Sequence, residues 1–299
     1  MTQAELWLFF MICKTPGGFF FAGDTAQTIE RGIGFRFCDL QTLFHYEKQL
    51  NDKPQIFQLT NNYRSHSGIL NLASHVVELI EHFFPLTIDK LKKDRGMYKG
   101  PTPVILETKM NDFLLHLVGN ENTTRSLEFG AHQVIIVRSQ EAKDQLPKEL
   151  KQCLVMTVHE VKGLEFEDVF IYNYFTDSPE NTNWSAITAY QQEKEQQADE
   201  DEQSIATTFE TLQKNQKQQR ILSFNAERDR ILCSELKMLY MVVTRARQRV
   251  YFFDENKTRS EPMIKFWKSR NLIAVARNSQ DLSRLGTILK KSTPNAWVC

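Results

Sequence analysis

The chain has 299 residues, of which 41% are apolar and 25% charged, and its acidic and basic side chains cancel to a net charge of zero. This is long enough to bury a sizeable core and ordinary for a soluble globular protein. It excludes an overall basic field, so any nucleic-acid surface would be a local patch. The five cysteines, Cys13, Cys38, Cys153, Cys233 and Cys299, are scattered and never spaced as CxxC. That argues against a zinc site or a disulfide framework and fits a reducing compartment. The expected location is intracellular, nuclear or cytoplasmic. No apolar run reaches the roughly 18 residues of a membrane span. Glu5 stands where a signal peptide would carry basic residues, so no membrane association is expected.

In chain order, residues 2–12 read as a helix, Lys14–Gly18 as a turn and Phe19–Ala22 as a short buried strand. Residues 37–50 look helical and Phe57–Leu59 reads as another strand. A long helix spans about residues 67–83, with Ile69, Leu72, Val76 and Ile80 at helical spacing and Ser67 as a candidate N-cap. Residues 85–103 carry three prolines and read as irregular. Strands are predicted at Val104–Glu107, Val134–Val137, Leu154–Met156, Val169–Tyr172 and Val250–Phe253, with helices at 111–117, 140–150 and 231–249. Strands alternating with helices argue for an α/β fold with a parallel sheet. Residues 191–220 are rich in Gln, Glu and Asp and read as a solvated, disordered or partly helical insertion. Residues 254–299 show weak patterning apart from an apolar cluster at Met263–Trp267.

Four stretches carry candidate chemistry. Gly23-Asp24-x-x-Gln27 follows a predicted strand: the glycine lets backbone approach a ligand, and Asp24 and Gln27 offer an acceptor and an amide. A Gly-Asp surface turn would look the same. Tyr63 beside Arg64 suits an adenine ring and a phosphate, or equally a core tyrosine beside a solvated arginine. In Thr157–Phe166, Gly163 permits a tight turn, Glu165 can accept from a ribose hydroxyl, and Thr157 and His159 can donate to a phosphodiester backbone. A capped helix start with an exposed charged face is the alternative. This stretch is expected at the carboxyl end of a strand, where open α/β sheets hold ligands. Arg245, in Thr244-Arg245-Ala246-Arg247 near the end of a predicted helix, is either a partner of the helix dipole or an arginine finger that stabilises a transferring phosphoryl group.

Taken together and in order, the four resemble the later motifs of the UvrD/Rep-type superfamily 1 helicases. GDTAQTI is similar to that family's third motif, LTNNYRS to its fourth, VMTVHEVKGLEF to its fifth and LYMVVTRAR to its sixth. The surrounding wording, FAGDTAQTIERGIGFRF and NYRSHSGILNLAS, looks closest to the UvrD-like helicase region of large TPR and ankyrin repeat-containing proteins. The resemblance implies a P-loop NTPase (RecA-like) sheet with helices on both faces. Residues 1–62 would end a first RecA-like domain, 63–258 would form a second with an insertion at 191–220, and 259–299 would be a C-terminal tail. It implies ATP with Mg²⁺, single-stranded DNA or RNA, and the N-terminal half of the helicase core as partners. Gln27 would sense the γ-phosphate, and Arg64 and Arg245 would reach it. Tyr63 would stack on adenine, Asp24 and Gly163 would help shape the nucleotide site, and Glu165 would bind ribose. Thr157 and His159 would touch the nucleic-acid backbone.

The sequence departs from that pattern in having no G-x-x-x-x-G-K-[ST] phosphate loop and no acidic magnesium motif. It also lacks the large helical insertion that the bacterial enzymes carry between the fourth and fifth motifs. By itself the chain is therefore not expected to hydrolyse ATP efficiently, and it reads as part of a longer helicase or as a truncated product. Two other readings stay open: a non-catalytic interaction module, and a nucleic-acid-binding module that acts without ATP. Arg245→Ala is expected to cut the hydrolysis rate of a complete protein while leaving the fold intact.

Overall fold

A computed structural model describes residues 2–13, 18–29, 36–46, 55–90, 92–108, 132–203, 229–278 and 280–281. Before the sheet come α1 (Gln3–Ile12), a 3-10 turn (Thr25–Gln27), α2 (Phe37–Tyr46), β1 (Asn61–Asn62), α3 (Ser67–Phe83) and β2 (Arg95–Gly96). There follow β3 (Val104–Leu106), β4 (Gln133–Val137), α4 (Gln140–Asp144), β5 (Val155–Thr157) and β6 (Phe166–Tyr172). The last described elements are α5 (Ser185–Gln203), α6 (Arg230–Val243), β7 (Ala246–Phe253), α7 (Lys257–Ser269) and β8 (Ala274–Ala276).

Six strands form one parallel sheet in the order β5-β4-β6-β7-β3-β8. A parallel sheet is covered on both faces, so its strands read as nearly continuous apolar runs. All five residues of β4 are buried, as are Val169–Tyr172 of β6. The period of two along each strand divides the core between the faces. Val134, Ile136, Val169, Ile171, Val250 and Phe252 pack under α3, α6 and α7. Ile135, Val137, Phe170, Tyr172, Tyr251 and Phe253 line the other face with Leu146 and Leu150. The α/β fold with a parallel sheet is as the strand and helix alternation predicts. No described helix is long and apolar enough to cross a membrane.

Several local expectations fail for identifiable reasons. Phe19–Ala22 and Phe57–Leu59 are not strands: a strand needs a ladder partner, and no described segment provides one. Phe19 and Phe21 instead pack on Leu6, Phe10 and Leu40, and Phe57 and Leu59 are exposed. The helix predicted at 140–150 stops at Asp144, because Pro147 lacks the amide proton and clashes with the preceding turn. The helix predicted to reach residue 249 ends at Val243, where pairing with β6 takes over from Ala246. The N-cap of α3 is His66, not Ser67. The polar segment starts as helix α5, held at its root by Tyr190, whose hydroxyl donates to Glu78 at 2.7 Å; Arg270, the C-cap of α7, binds the same carboxylate at 2.9 Å. Of residues 259–299, expected as a tail, those up to Ala276 instead complete α7 and supply the sheet strand β8. The helix predicted at 111–117 and residues 204–228 lie outside the described residues.

Two sets of hydrogen bonds position the motif residues. Ser65 Oγ donates to Ala246 O at 2.6 Å, and the fully buried His66 donates from Nε2 to Gln248 O at 2.8 Å while Nδ1 accepts from Gly68 N. The turn carrying Tyr63 and Arg64 is thereby stitched to the start of β7. The second set ties Thr25 to α6 through the loop after α3. Lys237 Nζ donates to Thr87 O at 3.0 Å, Asp89 N donates to Thr25 Oγ1, and the Asp89 carboxylate accepts from Phe37 N and Cys38 N at the start of α2.

A Cβ at Gly68 would lie 2.1 Å from Pro101 O, a backbone atom that cannot move aside. Gly68→Ala is expected to destabilise the fold by about 1–3 kcal/mol in denaturant unfolding. Burial holds the His66 imidazole below its usual range. The unfolded histidine takes up a proton near pH ~6.5 that the folded one refuses, so stability should fall as pH drops below that value. Urea midpoints measured between about pH 7.5 and about pH 5.5 should show the decline, with a smaller slope in His66→Asn.

Candidate functional site

Asp24 caps the 3-10 turn by accepting from Ala26 N on Oδ1 at 2.9 Å. Its Oδ2 accepts from Gln27 Nε2 at 2.7 Å and from the Tyr240 hydroxyl at 3.2 Å. With its amide nitrogen engaged, Gln27 presents Oε1 outward, and that atom accepts from Arg245 Nη2 at 3.0 Å. Burial, with Asp24 alongside, pushes the Tyr240 hydroxyl well above its ordinary range, so it serves as a neutral donor. The chain Tyr240–Asp24–Gln27–Arg245 joins the third-motif turn to the sixth-motif segment.

Arg245 is 2% exposed. Beyond Gln27, its guanidinium donates from Nε to Met241 O at 3.0 Å, from Nη1 to Leu164 O at 3.1 Å and from Nη2 to Thr244 Oγ1 at 3.3 Å. Burial and then the like charge of Arg64 lower its pKa, but an arginine stays charged. Leu164 O reaches it because Gly163, at φ +88°, turns the chain there.

Arg64 Nε binds Glu165 Oε2 at 2.5 Å. Arg247 Nη1 approaches the other Glu165 oxygen at 3.6 Å, and its Nε lies 3.5 Å from Glu167. Asn62 Oδ1 accepts from Arg64 N and Ser65 N, fixing the turn. Tyr63 is 77% exposed, so the alternative of a core tyrosine fails and its ring is open to a stacking partner.

These groups gather at the amino ends of β6 and β7, where Phe166 pairs with Ala246. Thr157 and His159 lie apart, at and just after the carboxyl end of β5. The expectation that the whole stretch sits at a strand's carboxyl end holds only for its first half. A connection between parallel neighbours must return along the sheet to begin the next strand. Thr157 Oγ1 accepts from Glu160 N at 3.3 Å and Glu160 Oε2 accepts from Thr157 N at 2.7 Å, a reciprocal cap of the helical-turn kind considered from the sequence. Tyr240, Arg247 and Glu167 were not singled out from the sequence. Only Tyr240 carried a signal, since a buried tyrosine hydroxyl requires a partner.

A separate cavity of about 330 Å³ opens at the other end of the sheet, lined by Glu107, Phe252, Asp254, Lys257 and Lys268 among others. It shares no residue with the cluster above. Among the described residues no group of three or more His, Cys, Asp or Glu side chains is arranged to hold a metal ion.

Residues 133–256 match the family of the UvrD-like helicase C-terminal domain. That segment is similar to a UvrD-like helicase C-terminal domain. Strands β4–β7 and Arg245 fall inside the matched segment. Across 307 aligned residues the chain is 40% identical to the human TPR and ankyrin repeat-containing protein 1, taking in 99% of this chain and 10% of that protein. The chain thus spans about a tenth of its relative's length. The C-terminal domain of a possible DNA helicase from Lactobacillus plantarum aligns over 72% of this chain and 98% of its own, at 14% identity and a TM-score of 0.32, a slight likeness.

The geometry revises one expectation about Arg245. Its side chain is buried and ties the end of α6 to the loop before β6, so Arg245→Ala removes those ties and leaves a cavity where the guanidinium was. The variant should lose about 2–4 kcal/mol in urea unfolding instead of leaving the fold intact. Arg245→Lys should recover only part of this, because an ammonium cannot span the fork.

Proposed function

We propose that this chain supplies the nucleotide-sensing half of an ATP-driven nucleic-acid translocase of the UvrD-like type. The observation that carries the reading is the 3.0 Å bond from Arg245 to Gln27, which joins the two motif segments that phosphoryl transfer needs together. Gln27 orients the attacking water with the same oxygen that now accepts from Arg245. Arg64 and Arg245 meet the negative charge on the transferring phosphoryl group, which lowers the barrier by positioning and electrostatics. Tyr63 stacks on the base and Glu165 accepts from the ribose. The guanidinium groups, the exposed tyrosine ring and the carboxylate suit a nucleoside triphosphate. Bound ATP supplies the phosphoryl group, and Mg²⁺ and β-phosphate ligands come from outside the described residues. Thr157 and His159, at the carboxyl end of β5, face the single-stranded DNA or RNA backbone.

The test is ATP hydrolysis by a chain long enough to include a phosphate-binding loop. Gln27→Ala and Arg64→Ala avoid the folding defect expected at Arg245 and should each slow turnover by about 10³-fold. Unchanged rates overturn the reading. In that event, single-strand binding by this chain that weakens steeply with salt would identify a nucleic-acid module that works without ATP.

A further inference from the structure

Arg247 has no part in the roles described above, yet it shares a carboxylate with a residue that does. Glu165 meets Arg64 on one oxygen and Arg247 on the other. All three side chains are about half exposed, at 38% for Arg64, 42% for Glu165 and 47% for Arg247. Solvent-exposed ion pairs are among the weakest interactions in a protein. Arg245 behaves differently: its Nε and Nη1 are held by the Met241 and Leu164 carbonyls, and only Nη2, on side chains, can turn to a phosphate. The cluster therefore contains two guanidinium groups that can change partner readily and one anchored by two of its three nitrogens.

We propose that Glu165 is the resting counter-ion of a polyphosphate site, and that Arg247 acts with Arg64 as a phosphate-contacting residue once an incoming triphosphate displaces that carboxylate. The inference rests on the nucleotide reading above and adds to it a residue and a latch. A polyphosphate carries several negative charges and many acceptor oxygens, and planar guanidinium groups bind it in forked pairs. A single exposed carboxylate cannot compete with it for both arginines. Once released, Glu165 is free to turn to the ribose, so the group that masks the empty site becomes a contact of the filled one.

The experiment is calorimetric titration of the 299-residue chain with inorganic tripolyphosphate at low ionic strength, with circular dichroism to verify folding of each variant. Tripolyphosphate has no ribose, so it isolates the latch from the sugar contact. Glu165→Gln should bind about fivefold tighter than the wild type, the scale of one exposed ion pair. Arg247→Ala should bind several-fold more weakly and should cancel most of the gain when combined with Glu165→Gln. Glu261→Gln removes an equal charge from the distant Lys265 pair on α7 and should change nothing. No gain in Glu165→Gln, an equal gain in Glu261→Gln, or unaltered binding by Arg247→Ala overturns the latch. If Arg64→Ala still abolishes binding in that case, the nucleotide reading survives alone. If Arg64→Ala binds like the wild type, or no variant binds, the latch falls too, and the hydrolysis test decides the nucleotide reading.

Discussion

A buried guanidinium must find acceptors for its N–H groups, and Arg245 finds them in three separate stretches of chain. Its donors reach Met241 O at the end of α6, Leu164 O in the loop before β6, and Gln27 in the turn after the N-terminal segment. A buried charge without partners costs several kcal/mol, so meeting this one requirement draws the motif segments into a single cluster. The carboxylate of Asp24 completes the arrangement by holding Gln27 in the orientation that can accept.

The rest of the fold makes that convergence possible. Parallel pairing of Phe166 with Ala246 sets the starts of β6 and β7 side by side, which fixes Glu165 next to the segment carrying Arg245 and Arg247. His66 and Ser65 bind the backbone of β7 from a turn nearly two hundred residues earlier in the chain, and so deliver Arg64 to Glu165. The loop after α3 does the same for the N-terminal turn through Thr87 and Asp89. The interactions that place the candidate site are thus mostly polar and buried, while the apolar core under α3, α6 and α7 supplies the rigid body on which they act.

The cluster also combines two kinds of electrostatic interaction with different consequences. Arg245 is inside, anchored through Nε and Nη1 to two carbonyls, with only Nη2 on side chains. Arg64, Arg247 and Glu165 are at the surface, where water competes for each of them. A site built this way has a fixed part that defines geometry and an exchangeable part that can answer a ligand.

By itself the sequence determined the α/β class, the β4–β7 strands to within a few residues, the long helix after Tyr63-Arg64, and the four motif segments. Apolar periodicity and local residue chemistry are properties of neighbouring positions, and these features depend on little else. Phe19–Ala22 and Phe57–Leu59 misled because an apolar run becomes a strand only beside another strand, and pairing is not a local property. The end of α6 at Val243 and the strand at Ala274–Ala276 were illegible for the same reason: each is decided by a neighbour in the sheet. Tertiary structure alone decided that Glu165 lies with Arg245 at the amino ends of β6 and β7 while Thr157 lies at the carboxyl end of β5. It alone decided that Tyr240 holds Asp24 and that Arg247 shares the Glu165 carboxylate. Those facts depend on which distant side chains meet, and a hydrogen bond or ion pair between residues far apart in sequence leaves no periodicity in the chain from which to read it.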